Sequence, residues 1–158
     1  MKATCIALCL TLFSAAPSFS HHAVTSVYDA SKRVVIEVEV YEFGLVHPHP
    51  LMLIEILAIA EDQQVEESIE VGQVWTLEMD NLWELTDLGL NANTFVPGDT
   101  LRVAVDPSRH EEYRKNTMYL RAIEHQRLGI IYIHNVRELF NIDIEQSTSL
   151  ESYLDLVR

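Results

Sequence analysis

Apolar and polar residues alternate along much of this chain with the period of a strand. In "RVVIEVEVYEF", Arg33 to Phe43, one face carries Val34, Ile36, Val38 and Val40, and the other carries Glu37, Glu39 and Tyr41. Period two with β-branched residues predicts a half-buried strand. "PLMLIEILAIA", Pro50 to Ala60, is a more continuous apolar run and predicts a central strand. Between them "GLVHPHP" holds a glycine and two prolines, the chemistry of a turn with a stiff exit. A polar loop over Glu61–Ser68 leads to a third strand, Val74 to Met79.

The pattern then changes to that of a short helix. Asn81 stands three residues before Glu84, which is capping-box spacing, and Gly89 stands where a helix would stop. Leu82, Leu85 and Leu88 share one face of it. "VPGDT", Val96 to Thr100, sets Pro97 and Gly98 at the centre of a type II turn. Leu101, Val103 and Val105 alternate behind that turn in a strand ending near Pro107. After a polar hairpin loop over Ser108–Asn116, Met118–His125 and Ile130–Val136 read as two further strands. Thr148 and Glu151 repeat the capping-box spacing, and residues 149–157 read as a short amphipathic helix.

This order predicts a mainly β fold: a small, partly open barrel of five to six strands, of the oligonucleotide/oligosaccharide-binding (OB) type. One short helix between strands three and four plugs an end. A two-sheet sandwich is the competing arrangement. The barrel is expected over residues 21–140, with a tail over residues 141–158.

The first 20 residues have a different character. Lys2, the apolar run Ala3–Phe13 and the small residues Ser18 and Ser20 form the layout of a secretory signal cut before His21. The apolar run is shorter than the roughly 20 residues a membrane span requires, so no integral membrane protein is expected. Export to the periplasm is the expectation, with secretion as the alternative. Cys5 and Cys9 both lie in this leader, so the mature chain offers no disulfide, thiolate metal site or cysteine nucleophile. A net charge of −13 repels phosphate backbones and argues against nucleic acid as a partner.

These motifs, in this order, resemble a family of small exported bacterial proteins catalogued as a domain of unknown function. Its members begin the mature chain with His-His and a nearby Asp. They then carry Asn-Pro-His, a Trp-Xaa-Xaa-Glu strand, a Leu-rich helix ending in Gly, and Pro-Gly-Asp. The matching residues here are His21, His22 and Asp29, then His47-Pro48-His49, Trp75 to Glu78, Leu85, Gly89 and Pro97-Gly98-Asp99. His47 stands where Asn is usual, and Leu51 replaces the aromatic that commonly follows. The resemblance implies fold and compartment and brings no established reaction.

Histidine supplies the candidate chemistry, at positions 21, 22, 47, 49, 110, 125 and 134. A free N-terminal His21 would offer its amine and its imidazole to one metal ion. One more imidazole would complete a three-nitrogen set suited to Cu(II), with zinc as the alternative occupant. His49 is the preferred third ligand because it falls on the family's Pro-His position. His47 is the alternative, projecting to the same side of an extended segment. His22 is an auxiliary donor, and Asp29 is a candidate to orient an imidazole. Against this stands an ordinary explanation, since polar residues at a chain terminus need no function. His110, His125 and His134 read as isolated surface or strand residues.

Other chemistries have less behind them. Glu55 and Glu78 lie in apolar strands and would suit glycosidase-type acid–base work only if they face each other. No nucleophile-elbow or phosphate-loop motif is present. Trp75, Trp83, Tyr119 and Tyr132 are candidates for a ligand groove or for the core. The sequence therefore reads as an exported cell-envelope binding protein, binding Cu(II) through His21 and the His-Pro-His loop. The alternative is a metal-free interaction module for a peptide, glycan or partner protein.

Overall fold

The computed structural model describes residues 24–61, 63, 65–110, 112, 114–136, 138–141 and 150. The leader, His21, His22 and most of the tail with its expected helix lie outside the described residues.

Among the described residues seven strands follow in chain order: β1 (Val34–Gly44), β2 (Leu51–Ile59), β3 (Val74–Glu78), β4 (Thr100–Pro107), β5 (Thr117–His125), β6 (Ile130–Ile133) and β7 (Phe140–Asn141). Among the described residues two short α-helices accompany them, α1 (Val24–Val27) ahead of β1 and α2 (Leu82–Asp87) between β3 and β4, with one 3-10 turn at Ala30–Lys32. The sheet order is β3-β2-β1-β4-β5-β6-β7, and β3 also pairs with β5. That last pairing is parallel, with Thr76, Leu77 and Glu78 opposite Thr117, Met118 and Tyr119. It turns β1, β2, β3, β5 and β4 into a closed five-stranded barrel, while β6 and β7 extend the sheet outside it. The expected OB-like architecture is therefore present, and the barrel is closed rather than partly open.

The alternation seen in sequence becomes an inside and an outside. Val34, Ile36, Val38 and Val40 are buried with Met52, Ile54 and Ile56 from β2, Leu77 from β3 and Leu101, Val103 and Val105 from β4. A second, smaller cluster lies on the far side of the sheet, joining Val35, Ala104, Ala122, Ile131, Ile133 and Leu150. β1 serves both neighbours because of its length, and register shifts at Glu37/Val38 and Val40/Glu42 bend it around the barrel.

Helix α2 forms where its signals predicted. The Asn81 side chain accepts a hydrogen bond from the Glu84 amide at 3.0 Å, satisfying one of the donors a helix start leaves open. Gly89 ends the helix with φ +86°, a conformation that costs glycine nothing. Leu85 points into the core with no exposed surface, while Trp83 on the opposite face is 71% exposed. The helix thus closes the barrel with one leucine and presents one tryptophan outward.

The Pro97-Gly98-Asp99 motif has a structural purpose. Gly98 takes φ +89° in its turn, and its amide donates to the Val40 carbonyl at 2.8 Å. Arg127 donates to both Asp99 carboxylate oxygens, at 2.7 and 2.8 Å, and the Val96 amide donates to it at 2.9 Å. The turn is thereby tied to the β5–β6 connection.

Candidate functional site

The segment before β1 is fixed to the barrel by polar contacts. The Asp29 amide donates to the Pro107 carbonyl and the Arg109 amide to the Val27 carbonyl, at 2.9 and 2.8 Å. The Asp29 carboxylate accepts from the two terminal nitrogens of Arg109, each at 2.9 Å, and from the Ser31 amide and hydroxyl. Hydrogen bonds from Ser31 hold its carboxyl below the usual carboxylate range, with Arg109 assisting. Among the described residues Asp29 thus orients a guanidinium. Tyr28 is buried against Tyr119, and its hydroxyl donates to Glu78 at 2.6 Å. Arg114 joins the same carboxylate at 2.5 Å.

Glu78 ends β3 opposite Leu51, and Leu51 follows directly on His47-Pro48-His49-Pro50. The histidine loop lies against the β3–α2 corner: the Met79 amide donates to the Pro50 carbonyl and the Leu82 amide to the Pro48 carbonyl, at 2.9 and 3.1 Å. His49 is half-buried, and its Nδ1 stands 3.2 Å from the Met79 carbonyl. A carbonyl only accepts, so Nδ1 is the donor in this contact. His47 is exposed. Both the N-terminal segment and the histidine loop are therefore attached around the end of β3. Among the described residues, no group of three or more His, Cys, Asp or Glu side chains is gathered to hold a metal ion.

On the other side of the same corner is a cleft of about 440 Å³, bounded by α2 and the chain leaving β6. Asp80, Glu84 and Asp87 supply carboxylates to it, Trp83 an exposed ring, and Tyr132 and Asn135 its opposite wall. Asp80 is held by His134, whose Nδ1 lies 2.6 Å from the carboxylate. Burial pushes the Asp80 carboxyl up, but the hydrogen bonds from His134 and Glu84 outweigh it and leave it at about 2. Glu84 moves the other way: its contact with Asp80, then burial, then the Asp80 charge raise its carboxyl. The two carboxyls therefore shift in opposite directions, Asp80 down and Glu84 up. Burial, followed by the Asp80 charge, keeps the Tyr132 phenol protonated far above its usual range. Tyr132 is 2% exposed, and its hydroxyl has no hydrogen-bond partner among the described residues.

His125 and His134 differ from the isolated residues expected. Both are buried, His125 completely. The His125 Nε2 lies 3.2 Å from Asp99 and 3.3 Å from the Thr94 carbonyl, and its ring stacks on Phe95. Burial lowers its pKa. His134 meets Tyr119 edge-on with ring centres 5.1 Å apart. Tyr28, Tyr119, His134 and Asp80 form a continuous line from the N-terminal segment to the cleft.

Glu55 and Glu78 are not an acid–base pair. Glu55 pairs with Val74 and Glu78 with Leu51, four ladder positions apart and so about 13 Å along the strands. Glycosidase carboxylates stand roughly 5–10 Å apart. Glu55 instead accepts from the Tyr41 hydroxyl. Of the four aromatics considered for a groove, Trp75, Tyr119 and Tyr132 are buried, and Trp83 alone is exposed.

Two buried acids give this region an acid limit. The Asp99 carboxyl is lowered to about 2, first by hydrogen bonds from Arg127, and Asp80 stands at a similar value. An unfolded Asp titrates near about 3.9, so the stability these groups contribute is complete above that pH and is lost as pH falls toward about 2. Thermal unfolding followed by circular dichroism should show a midpoint that drops steeply between about pH 4 and pH 2. Asp99→Asn should flatten that drop. A midpoint unchanged from pH 5 to pH 2 would refute the assignment.

A closed five-stranded barrel with a plug helix between β3 and β4, bearing a polar cleft beside that helix, defines a small OB-like domain. The chain belongs to a family of unknown function (DUF6152), whose profile matches residues 10–116. No curated protein and no solved structure matches it. The match runs from the leader through the histidine loop, the β3–α2 corner and the Pro97-Gly98-Asp99 turn, and ends just before β5. No helix among the described residues is long and apolar enough to cross a membrane.

Proposed function

We propose that this protein is exported to the cell envelope and acts there as a binding module, holding Cu(II) with the amine and imidazole of a mature N-terminal His21 and the imidazole of His49. The observation that carries this reading is the state of His49. Its Nδ1 proton is engaged by the Met79 carbonyl, and metal-bound histidines are oriented in this way by a carbonyl or carboxylate on the nitrogen that does not bind. Nε2 would then be the ligand nitrogen. Asp29 and Tyr28 support the reading by anchoring the N-terminal segment near the end of β3. His47 and His22 are auxiliary donors, and Zn(II) would use the same nitrogens.

Competition titration against a Cu(II) chelator tests this on the exported protein. One alanine placed before His21 should weaken copper binding by roughly 100-fold or more, because the amine and imidazole no longer close a chelate on one residue. His49→Ala should weaken it by about tenfold or more while leaving the melting temperature nearly unchanged. Unaltered affinity in both variants would remove the copper site.

A second reading, a metal-free interaction module, draws on a different observation. Leu51, Leu53 and Leu57 succeed one another on the outer side of β2, each between 36% and 40% exposed. In that case His21→Ala would leave partner capture intact, and Leu53→Lys would abolish it.

A further inference from the structure

The outer face of β2 carries an arrangement that the fold leaves unbalanced. Leu51, Leu53 and Leu57 stand on it in water, with Tyr41 of β1 and Val74 of β3 exposed to a similar degree beside them. In the middle of this apolar row sits Glu55, whose ladder neighbours are Val74 on one side and Glu39 on the other. The second neighbour of Glu39 is Thr100. Two half-buried carboxylates therefore face each other directly across β1 and β2. Like charges in directly opposite positions repel and weaken a sheet. Glu37, two residues earlier on β1, stands opposite Arg102, but Glu39 and Glu55 form no ion pair among the described residues. The Tyr41 hydroxyl donates to Glu55, and a neutral donor leaves the charge in place. A cation seated between the two acids would remove the repulsion.

Strand addition is not available here, because β2 is hydrogen-bonded to β1 along one edge and to β3 along the other. A partner has to lie across the side chains. From Leu51 to Leu57 the row runs about 20 Å at strand spacing, the length of roughly 13 residues of α-helix. Charge then chooses among the occupants. A second copy of this chain, seated through the same face, would bring Glu39 and Glu55 of both copies together. An anionic lipid surface is repelled by the same acids. The tail beyond Leu150 carries Glu151 and Asp155 against Arg158, and Leu150 itself is buried elsewhere, with Val35 and Ala104. A bare metal ion finds no third ligand side chain among the described residues. What fits is an apolar stripe with lysine or arginine beside it.

We infer that the outer face of β2 docks a basic amphipathic helix of a partner protein, its apolar stripe on Leu51, Leu53 and Leu57 and a lysine or arginine between Glu39 and Glu55. The inference rests on the reading of this protein as an interaction module and names the chemistry of the partner. The leucines supply affinity by leaving water. The two acids supply selection, attracting a basic helix and rejecting an acidic one.

Fluorescence anisotropy of dye-labelled synthetic helices, titrated with the metal-free exported protein at physiological salt, tests the inference. The first probe is a capped helix of about 15 residues, with leucines at i, i+3, i+4 and i+7 and lysines beside them. The second is the same helix with every lysine changed to glutamate, and the third is a scrambled sequence of the lysine form. The lysine helix should bind saturably, and neither of the others should. Leu53→Ser should weaken that binding about tenfold or more. Glu39→Gln and Glu55→Gln should each weaken it about fivefold or more, while Glu84→Gln, on α2, leaves it unchanged. Glu39→Gln should also raise the melting midpoint by about 1–3 °C, which separates its weaker binding from loss of fold. The inference is overturned if the lysine helix does not saturate below about 1 mM, if neither charge substitution changes its affinity, or if the midpoint of Glu39→Gln falls. Equal binding of the glutamate helix, removed by Leu53→Ser, would overturn the basic partner while leaving an interaction face in place. A monomer–dimer equilibrium in sedimentation, abolished by Leu53→Ser, would give the face to a second copy instead.

Discussion

Replacing Asp106 with alanine is expected to destabilise the fold by about 3–5 kcal/mol, the cost of leaving buried arginine without its counter-charge. Asp106 has no exposed surface. Arg33 donates to it through Nε at 2.7 Å and through a terminal nitrogen at 3.2 Å, and Arg121 donates through Nε at 2.6 Å. Arg121 is itself buried and lies over the Tyr119 ring, 4.9 Å from its centre. Removing the carboxylate would strand a guanidinium where water cannot reach it. It would also loosen Tyr119, on which Tyr28 and His134 both pack. Thermal unfolding should report a midpoint lower by about 10 °C or more, taking roughly 2–4 °C per kcal/mol for a chain of this length. Asp87→Asn, at an exposed position, should stay within about 0.5 kcal/mol. Equal midpoints for the two variants would mean that the Asp106 cluster adds nothing to the fold.

The second large effect concerns the plug. Leu85→Ala should cost about 2–5 kcal/mol, because a buried leucine removed from a packed core loses its transfer energy and leaves a cavity. Trp83→Ala, two residues away on the same short helix, should cost less than about 0.5 kcal/mol, since its ring is mostly in water. Urea unfolding midpoints of the two variants give the comparison. Similar losses would show that α2 does not close the barrel through Leu85.

The barrel strands were legible because their evidence is local. In β1 the alternation of Val34, Ile36, Val38 and Val40 with glutamates is a property of one short segment, as is the Asn81–Glu84 cap of α2. Gly98 marked its turn for the same reason. The closure was not legible. Pairing of Leu77 with Met118 joins segments separated by α2 and β4, and nothing in either segment announces a parallel partner. The register shifts that bend β1 are equally silent in a run of alternating residues.

The site was legible in proportion to how local its chemistry was. His47-Pro48-His49 stood out as a motif, and its loop does lie against a functional-looking corner. Asp80 and Glu84 carried no such mark, because their distinctness comes from His134 and Tyr132 much later in the chain. His134 was the available signal. It ends the apolar run "IIYI", where a polar residue must either reach solvent or find a buried partner. The same reasoning applies to His125 at the end of β5, whose partner Asp99 had been read only as a turn residue.

The central claim, that this barrel presents His21 and His49 to one copper ion, is tested most directly by intact-mass analysis of the exported protein supplied with Cu(II). The denatured spectrum should give the mass of the chain beginning at His21, and the native spectrum should exceed it by one copper that persists through desalting. A mature chain beginning at any other residue, or a native mass equal to the denatured one, would contradict it.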